Sequence, residues 1–305
     1  MRKQLLALAG GIILLASCEE KAPIINFSDS ASVDTTYMET PAPAADPHVV
    51  LIEEYTGAKC SNCPAGHVQL EALETANPGR LIVISYHETN NSLTIPPYSE
   101  GAKYDFRSDT PNVLATAITG TTVGSLPSAF VDRSPTAGSL ILSRGSWSDA
   151  FNRQKALSDS VNMSIASVFD ATSGKYKITV TLKYTAPVGY KHNLTLVSLE
   201  DNIIDVQEYP GYPIGPFESG FDTAYKFKGV FREMITAAPL GDPIMDTMAV
   251  KQAGRVYRRT YTYTPKTTTP AIVPANCRIV AFVNSVNSAS GDYRVLQAVE
   301  TKLVP

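Results

Sequence analysis

Glu53-Glu54-Tyr55-Thr56-Gly57-Ala58-Lys59-Cys60-Ser61-Asn62-Cys63-Pro64 is the stretch whose reading decides the fold. An apolar run, Val49-Val50-Leu51-Ile52, leads into it, and a run that reads as helix leads out of it to Ala76. A strand, a short loop and two cysteines at a helix start are what thiol–disulfide exchange requires. One sulfur must be open to attack, and the other must lie within disulfide reach on the first helical turn. Unpaired N–H groups and the positive end of the helix dipole favour the thiolate of Cys60, and Lys59 adds a cation beside it. Half of a structural zinc site would also read as Cys-x-x-Cys, but such a site closes with four ligands and the chain has no second pair. Beside a βαβ pattern the pair reads as a redox motif.

Outward from the motif, the helix spans Ser61–Ala76, with Pro64 tolerated in its first turn, and stops at Asn77-Pro78-Gly79. Arg80 to His87 is a continuous apolar run, as expected of a strand covered on both faces, and it completes a right-handed unit with a parallel strand pair. A polar loop follows from Glu88 to Ser99, then helices are expected at Glu100–Arg107 and Pro111–Thr119. Val123 to Arg133 reads as a turn, a proline and a strand. Ser146–Ser158, with Trp147, Ala150, Phe151 and Leu157 at helical spacing, closes a first domain over residues 48–158. His67 and His87 could approach the sulfurs, so a metal site of Cys60, Cys63 and His67 stands as an alternative; the main reading has no metal and no cofactor.

The N-terminus speaks to compartment. Met1-Arg2-Lys3 is a basic n-region and Leu5 to Leu15 an apolar h-region too short for an ordinary span. Leu15-Ala16-Ser17-Cys18 resembles the bacterial lipobox, which implies cleavage of a signal peptide over residues 1–17 and acylation of Cys18 with palmitate-type chains. An ordinary secretory signal is the plainer alternative. Residues 18–47, polar and rich in Pro and Ala toward their end, read as a flexible tether. Export means an oxidising environment, in which a Cys60–Cys63 disulfide forms readily. Cys277 alternates with Ile279, Ala281 and Val283 and reads as a buried free thiol. A net charge of −3 without a basic cluster argues against a nucleic-acid partner.

From Ser160 onward the helical period gives way to strands. Asn162–Phe169 and Lys175–Tyr184 form a hairpin across Asp170-Ala171-Thr172-Ser173-Gly174, the second strand alternating cleanly between apolar and polar residues. Further strands are expected at Asn193–Glu200, Phe227–Ile235, Arg255–Tyr263, Cys277–Val283 and Tyr293–Val304. This predicts a β-sandwich of immunoglobulin-like architecture over residues 159–305. The loop Gln207–Phe227 carries Tyr209, Tyr212, Phe217, Phe221 and Tyr225, suited to packing against the other half or to binding.

Strand, Cys-x-x-Cys helix, strand, a helical stretch, then Gly124-Ser125-Leu126-Pro127 leading into a strand resembles the thioredoxin fold. That resemblance implies a cis Pro127 lying against the cysteine pair, and a Leu126 backbone that pairs with an extended substrate. It also implies that Glu54, six residues before Cys60, is a buried acid moving protons for the resolving cysteine. Lys59 stands where thioredoxin has Trp, and Ser61-Asn62 where it has Gly-Pro.

The whole chain resembles the outer membrane protein 28-related lipoproteins of Gram-negative bacteria. Leu51 to Gly57 with Cys60, Cys63-Pro64 and Gly66-His67 carry the likeness, supported by Pro127, Val131-Asp132-Arg133, Tyr225 to Arg232 and Val295 to Glu300. The resemblance implies a thioredoxin-like α/β domain followed by an all-β sandwich on the outer membrane, facing periplasm or cell surface. The expected function is that of a lipid-anchored thiol–disulfide oxidoreductase or redox-competent peptide binder. Cys60 would attack, Cys63 resolve, Pro127, Leu126 and Lys59 position an exported protein or peptide, and Glu54 relay protons. The competing expectation is a non-enzymatic surface binding protein or adhesin whose disulfide is structural.

Overall fold

A computed structural model describes residues 33–209, 220–287 and 289–304. The expected signal segment, Cys18 with its expected acylation, and Tyr212 and Phe217 of the aromatic loop therefore lie outside the described residues. The mixed half runs β1 Val33–Met38, β2 Val50–Tyr55, α1 Cys63–Ala76, β3 Leu81–Tyr86, α2 Thr110–Thr119, β4 Ser128–Val131, β5 Leu142–Ser143 and α3 Trp147–Lys155. Strands follow: β6 Val161–Asp170, β7 Lys175–Tyr184, β8 His192–Glu200, β9 Ile203–Glu208 and β10 Phe221–Phe227. The last are β11 Val230–Met234, β12 Asp242–Ile244, β13 Arg255–Tyr263, β14 Cys277–Ser285 and β15 Val295–Lys302.

The strands β2, apolar but for Glu53 and Glu54, and β3, a nearly continuous apolar run, are buried at every position and pair in parallel across α1. The faces separate by alternation. Val50, Ile52, Leu81 and Val83 pack under α1 and α3 with Trp147 and Phe151. Leu51, Tyr55, Ile82, Ile84 and Tyr86 face the other way, onto α2 and onto Val197, Phe231, Val280 and Phe282 of the second half. The alternating β7 buries Tyr176, Ile178, Val180, Leu182 and Tyr184 against β8 and β14, so the sheet β1-β13-β7-β6 packs face to face with the larger one.

That larger sheet runs β15-β14-β8-β11-β3-β2-β4-β5, straight through the expected boundary at residue 158. The joint is narrow. Val230 of β11 pairs in parallel with Ser85 of β3, and the Ser85 N–H donates to Gly229 O at 2.8 Å. The sheet also curls back on itself: Val49 N–H donates to Gln297 Oε1 at 2.9 Å and Val295 N–H to Asp132 O at 2.9 Å.

Three expectations are corrected. Residues 33–47, read as part of a flexible tether, instead supply β1, antiparallel to β13, with Asp34 held by Arg259 through two contacts of 2.6 Å. Polar composition rules out a core, but adding a strand to an open edge needs only backbone pairing. The helix expected at Glu100–Arg107 is a single turn, Tyr98–Glu100, followed by residues without regular secondary structure. Asp205 there takes the N–H groups of Lys103 and Tyr104 at 3.0 and 2.9 Å, the donors an internal helical bond would use. The strand expected over Phe227–Ile235 is broken between β10 and β11 by Gly229, at φ 61°.

Buried polar groups tie the two halves. Arg133, almost inaccessible, binds Glu53 through Nε–Oε2 at 2.7 Å and Nη2–Oε1 at 2.8 Å and lies 4.9 Å over the Phe282 ring. His48 bridges Asp132 (2.7 Å) and Asp159 (2.6 Å), and Asp159 also accepts from Gln297. Burial alone would lower the His48 pKa, but its two aspartate partners raise it to about 9. Its contribution to stability is therefore complete below the ordinary imidazole value and lost as pH rises through about 9.

At Gly229 an added Cβ would lie 3.0 Å from Val83 O, on a backbone that side chains rarely adopt. Gly229→Val should lower the unfolding free energy by at least about 2 kcal/mol, read from urea denaturation.

Candidate functional site

Cys60 and Cys63 form a disulfide with Cα atoms 5.3 Å apart, at the tip of α1. The helix opens without a side-chain cap from Asn62, and Pro64 sits in its first turn. Three groups converge on Gly66 one turn in. A Cβ there would meet Glu54 Oε1 at 3.2 Å, Trp147 Cη2 at 3.2 Å and Pro127 Cγ at 3.3 Å. Glu54, Pro127 and the cysteine helix are thus one cluster, and the Leu126–Pro127 peptide is cis. Leu126 is half-buried against the apolar cluster on the far face of β2 and β3. Lys59 is half-exposed, its N–H donating to Leu93 O at 2.8 Å.

Glu54 is fully buried and poorly partnered. Ser85 Oγ donates weakly to Oε2 at 3.4 Å, while Oε1 has no hydrogen-bond partner and lies 3.5 Å from His67 Nε2. Burial raises its pKa to about 8, so the carboxyl holds its proton at neutral pH. His67 faces Thr56 Oγ1 at 2.9 Å and Tyr225 OH at 2.6 Å, and burial lowers its pKa to about 4. His87 is buried against Phe106 and Phe227, with no hydrogen-bond partner on either ring nitrogen, and burial takes its pKa to about 3. Glu54, His67, His87 and Tyr225 line a cavity of about 390 Å³ between α1, β3 and the β10–β11 corner.

The sulfurs do not stand open. Cys60 is 2% exposed and Cys63 0%. On one side Leu93 O packs so close to Gly57 that a Cβ would lie 2.4 Å from it. On the other side β9 closes down: Gln207 Nε2 donates to Gly57 O and Cys60 O, both at 3.2 Å, and Glu208 N–H to Ala58 O at 2.7 Å.

Of the residues expected at the site, Cys60, Cys63, Glu54 and Pro127 come together, with Lys59 and Leu126 on either side. His67 turns from the sulfurs to Thr56 and Tyr225, and among the described residues no group of three or more His, Cys, Asp or Glu is arranged to hold a metal. Cys277 is buried and free, its pKa raised to about 12 by burial. Tyr225 packs on His67, Tyr209 and Phe227, the packing role open to the aromatic loop. Sequence reasoning did not reach Gln207, which no local pattern connects to a motif 147 positions away.

Comparison with known proteins gives one family. The model of outer membrane protein Omp28 matches residues 116–304. Among solved structures, HBP35 of Porphyromonas gingivalis aligns with TM-score 0.57 at 16% identity, covering 86% of this chain and 77% of its own; this is a likeness of fold. Protein AGR_C_4864 from Agrobacterium tumefaciens aligns with TM-score 0.47 at 12% identity, over 85% of this chain and 97% of its own. No curated protein matches.

A carboxyl that holds its proton in the native state but loses it on unfolding makes stability fall as pH rises between about 4.5 and about 8. Glu54→Gln should remove that slope. At pH 4 the variant should match the parent, and at pH 9 exceed it by on the order of 5 kcal/mol in urea unfolding.

Proposed function

The chain belongs to the outer membrane protein Omp28 family, and on that premise we propose that it is a lipid-anchored outer-membrane protein whose thioredoxin-like half exchanges disulfides with an exported polypeptide. The anchor is the acylated Cys18, and the folded part works in the oxidising space outside the inner membrane. The observation that carries the reading is Glu54. A fully buried carboxyl with an unpartnered oxygen, packed beneath the first turn of a Cys-x-x-Cys helix beside Pro127, destabilises the fold and has no structural task there.

In the dithiol form, Cys60 thiolate attacks one sulfur of the partner's disulfide and forms a mixed disulfide. The partner's other sulfur leaves as thiolate and takes up a proton. Cys63 then gives its proton to Glu54, drawn from the minor ionised fraction that a pKa of about 8 leaves at neutral pH, and attacks Cys60 Sγ. The partner's second sulfur leaves as thiolate and takes that proton back from Glu54, so the Cys60–Cys63 bond is restored and the partner departs as a dithiol. Two electrons pass from this chain to the partner. The same steps in reverse oxidise a partner dithiol, the direction following the two reduction potentials. Glu54 suits the proton step because its raised pKa lies near that of a thiol.

One observation favours a second reading. Both sulfurs are closed off, as in a structural staple, which would leave binding to the sandwich and make the chain a surface binding protein. A reduction potential for the Cys60–Cys63 pair above about −300 mV supports exchange, and one well below it supports the staple. Cys63→Ser expressed with its own leader should retain partners on Cys60 as reducible, higher-mass species. If none form and the parent protein neither reduces nor oxidises a model disulfide, the exchange reading is wrong.

A further inference from the structure

The three carbonyls around the disulfide are already bonded. Gly57 O and Cys60 O both accept from Gln207 Nε2, and Ala58 O accepts from the Glu208 N–H. Gln207 is itself fully buried, and the fit is incomplete. Its Nε2, with two hydrogens, serves a third acceptor, Glu208 O at 2.9 Å, while its Oε1 has no partner. A cover whose donor is overshared and whose acceptor is stranded is one that another donor-bearing segment can replace at small loss.

We propose that Gln207 and Glu208, at the end of β9, occupy the face through which Cys60 meets another chain, so that exchange requires an extended polypeptide segment to take their place. The inference rests on the exchange reading for its purpose, but the closure is a property of the oxidised protein alone. The chemistry of the three carbonyls defines the incoming group. Gly57 O and Cys60 O each keep one local donor, the Cys60 and Cys63 N–H groups, so Ala58 O is the carbonyl left without its donor when Gln207 and Glu208 leave. An extended backbone presents unpaired N–H groups along an edge, as Glu208 does here. A folded surface, with its backbone donors already paired, offers few.

Opening need not extend to the whole of β9. Gln207 and Glu208 pair with Asp222 and Phe221 of β10, so those positions lift with them. Asp205, fixed by the Lys103 and Tyr104 N–H groups, and Tyr225, fixed by His67 beyond the irregularity in the ladder, hold the rest of the two strands in place. The moored part and the lifting part lie on opposite sides of Val206, which is the place a local opening would begin.

The test is reduction of the oxidised, purified protein by dithiothreitol in urea kept below the unfolding transition. Local opening predicts a rate that rises with urea along a slope clearly smaller than that of global unfolding. Gln207→Leu, which keeps the volume and removes the donors, should speed reduction without urea by at least about tenfold, with thermal midpoint and Trp147 fluorescence marking a folded protein. A rate independent of urea would mean the sulfurs are already reachable. A slope equal to that of global unfolding would mean that only unfolding frees them. Either result overturns the proposal, as does an unchanged rate in folded Gln207→Leu; should that variant unfold, the urea slope of the parent protein still decides. Relative to dithiothreitol, an unstructured dithiol peptide should reduce the protein faster than a folded protein with an exposed dithiol, and equal rates would overturn the extended-segment assignment. None of these measurements uses a physiological partner, so failure of the Cys63→Ser trap leaves them standing, and their failure leaves the trap standing.

Discussion

The free edge of β3 is the constraint on which the molecule is built. With β2 paired to β4 on its other side, β3 is left with an edge of unpaired N–H and C=O groups, and a buried strand cannot keep them. Here β11 closes that edge through Val230 and Gly229, at a place where the chain runs so close to Val83 O that only glycine fits comfortably. Everything distinctive about the site follows. With β11 fixed beside β3, the hairpin partners β9 and β10 that precede it are carried over the tip of α1. Tyr225 meets His67, Gln207 meets the carbonyls of Gly57 and Cys60, and the disulfide is closed off by residues from the far half of the chain.

The same joint accounts for the buried polar groups. Arg133 leaves β4 at a positive φ, crosses beneath the curled sheet and finds Glu53 on one side and the Phe282 face on the other. A guanidinium buried this deeply is tolerable only with a bidentate carboxylate. His48, between Asp132 and Asp159, does the same where β2 starts and the connection to β6 begins. Glu54 stands apart from both. It has no cation and little hydrogen bonding, and it keeps its proton instead.

What the sequence made legible was local. The apolar segment Val49–Ile52 marked the start of β2, a continuous apolar run marked β3, clean alternation marked β7, and helical spacing of Trp147, Ala150 and Phe151 marked α3. The cluster of Cys60, Cys63, Glu54 and Pro127 could be assembled because a resemblance supplied the one long-range fact, the position of the proline. The rest depends on pairings that leave no periodic trace. β1 is an edge strand with little buried surface, so its composition looks like that of a tether. The single parallel pair at Ser85 and Val230 is too short to impose a pattern, and without it the chain divides by texture at residue 158. Gln207 is one glutamine among polar neighbours, and its burial is decided wholly by what lies opposite.

If the two halves share one sheet and one core, they unfold together. The chain has a single tryptophan, Trp147, buried in the layer of α1 and α3, whereas far-UV circular dichroism is dominated by the strands of the later half. Equilibrium urea unfolding followed by both signals should give superimposable transitions with one midpoint and one slope. Two separated transitions, with the tryptophan signal moving independently of the strands, would contradict the account.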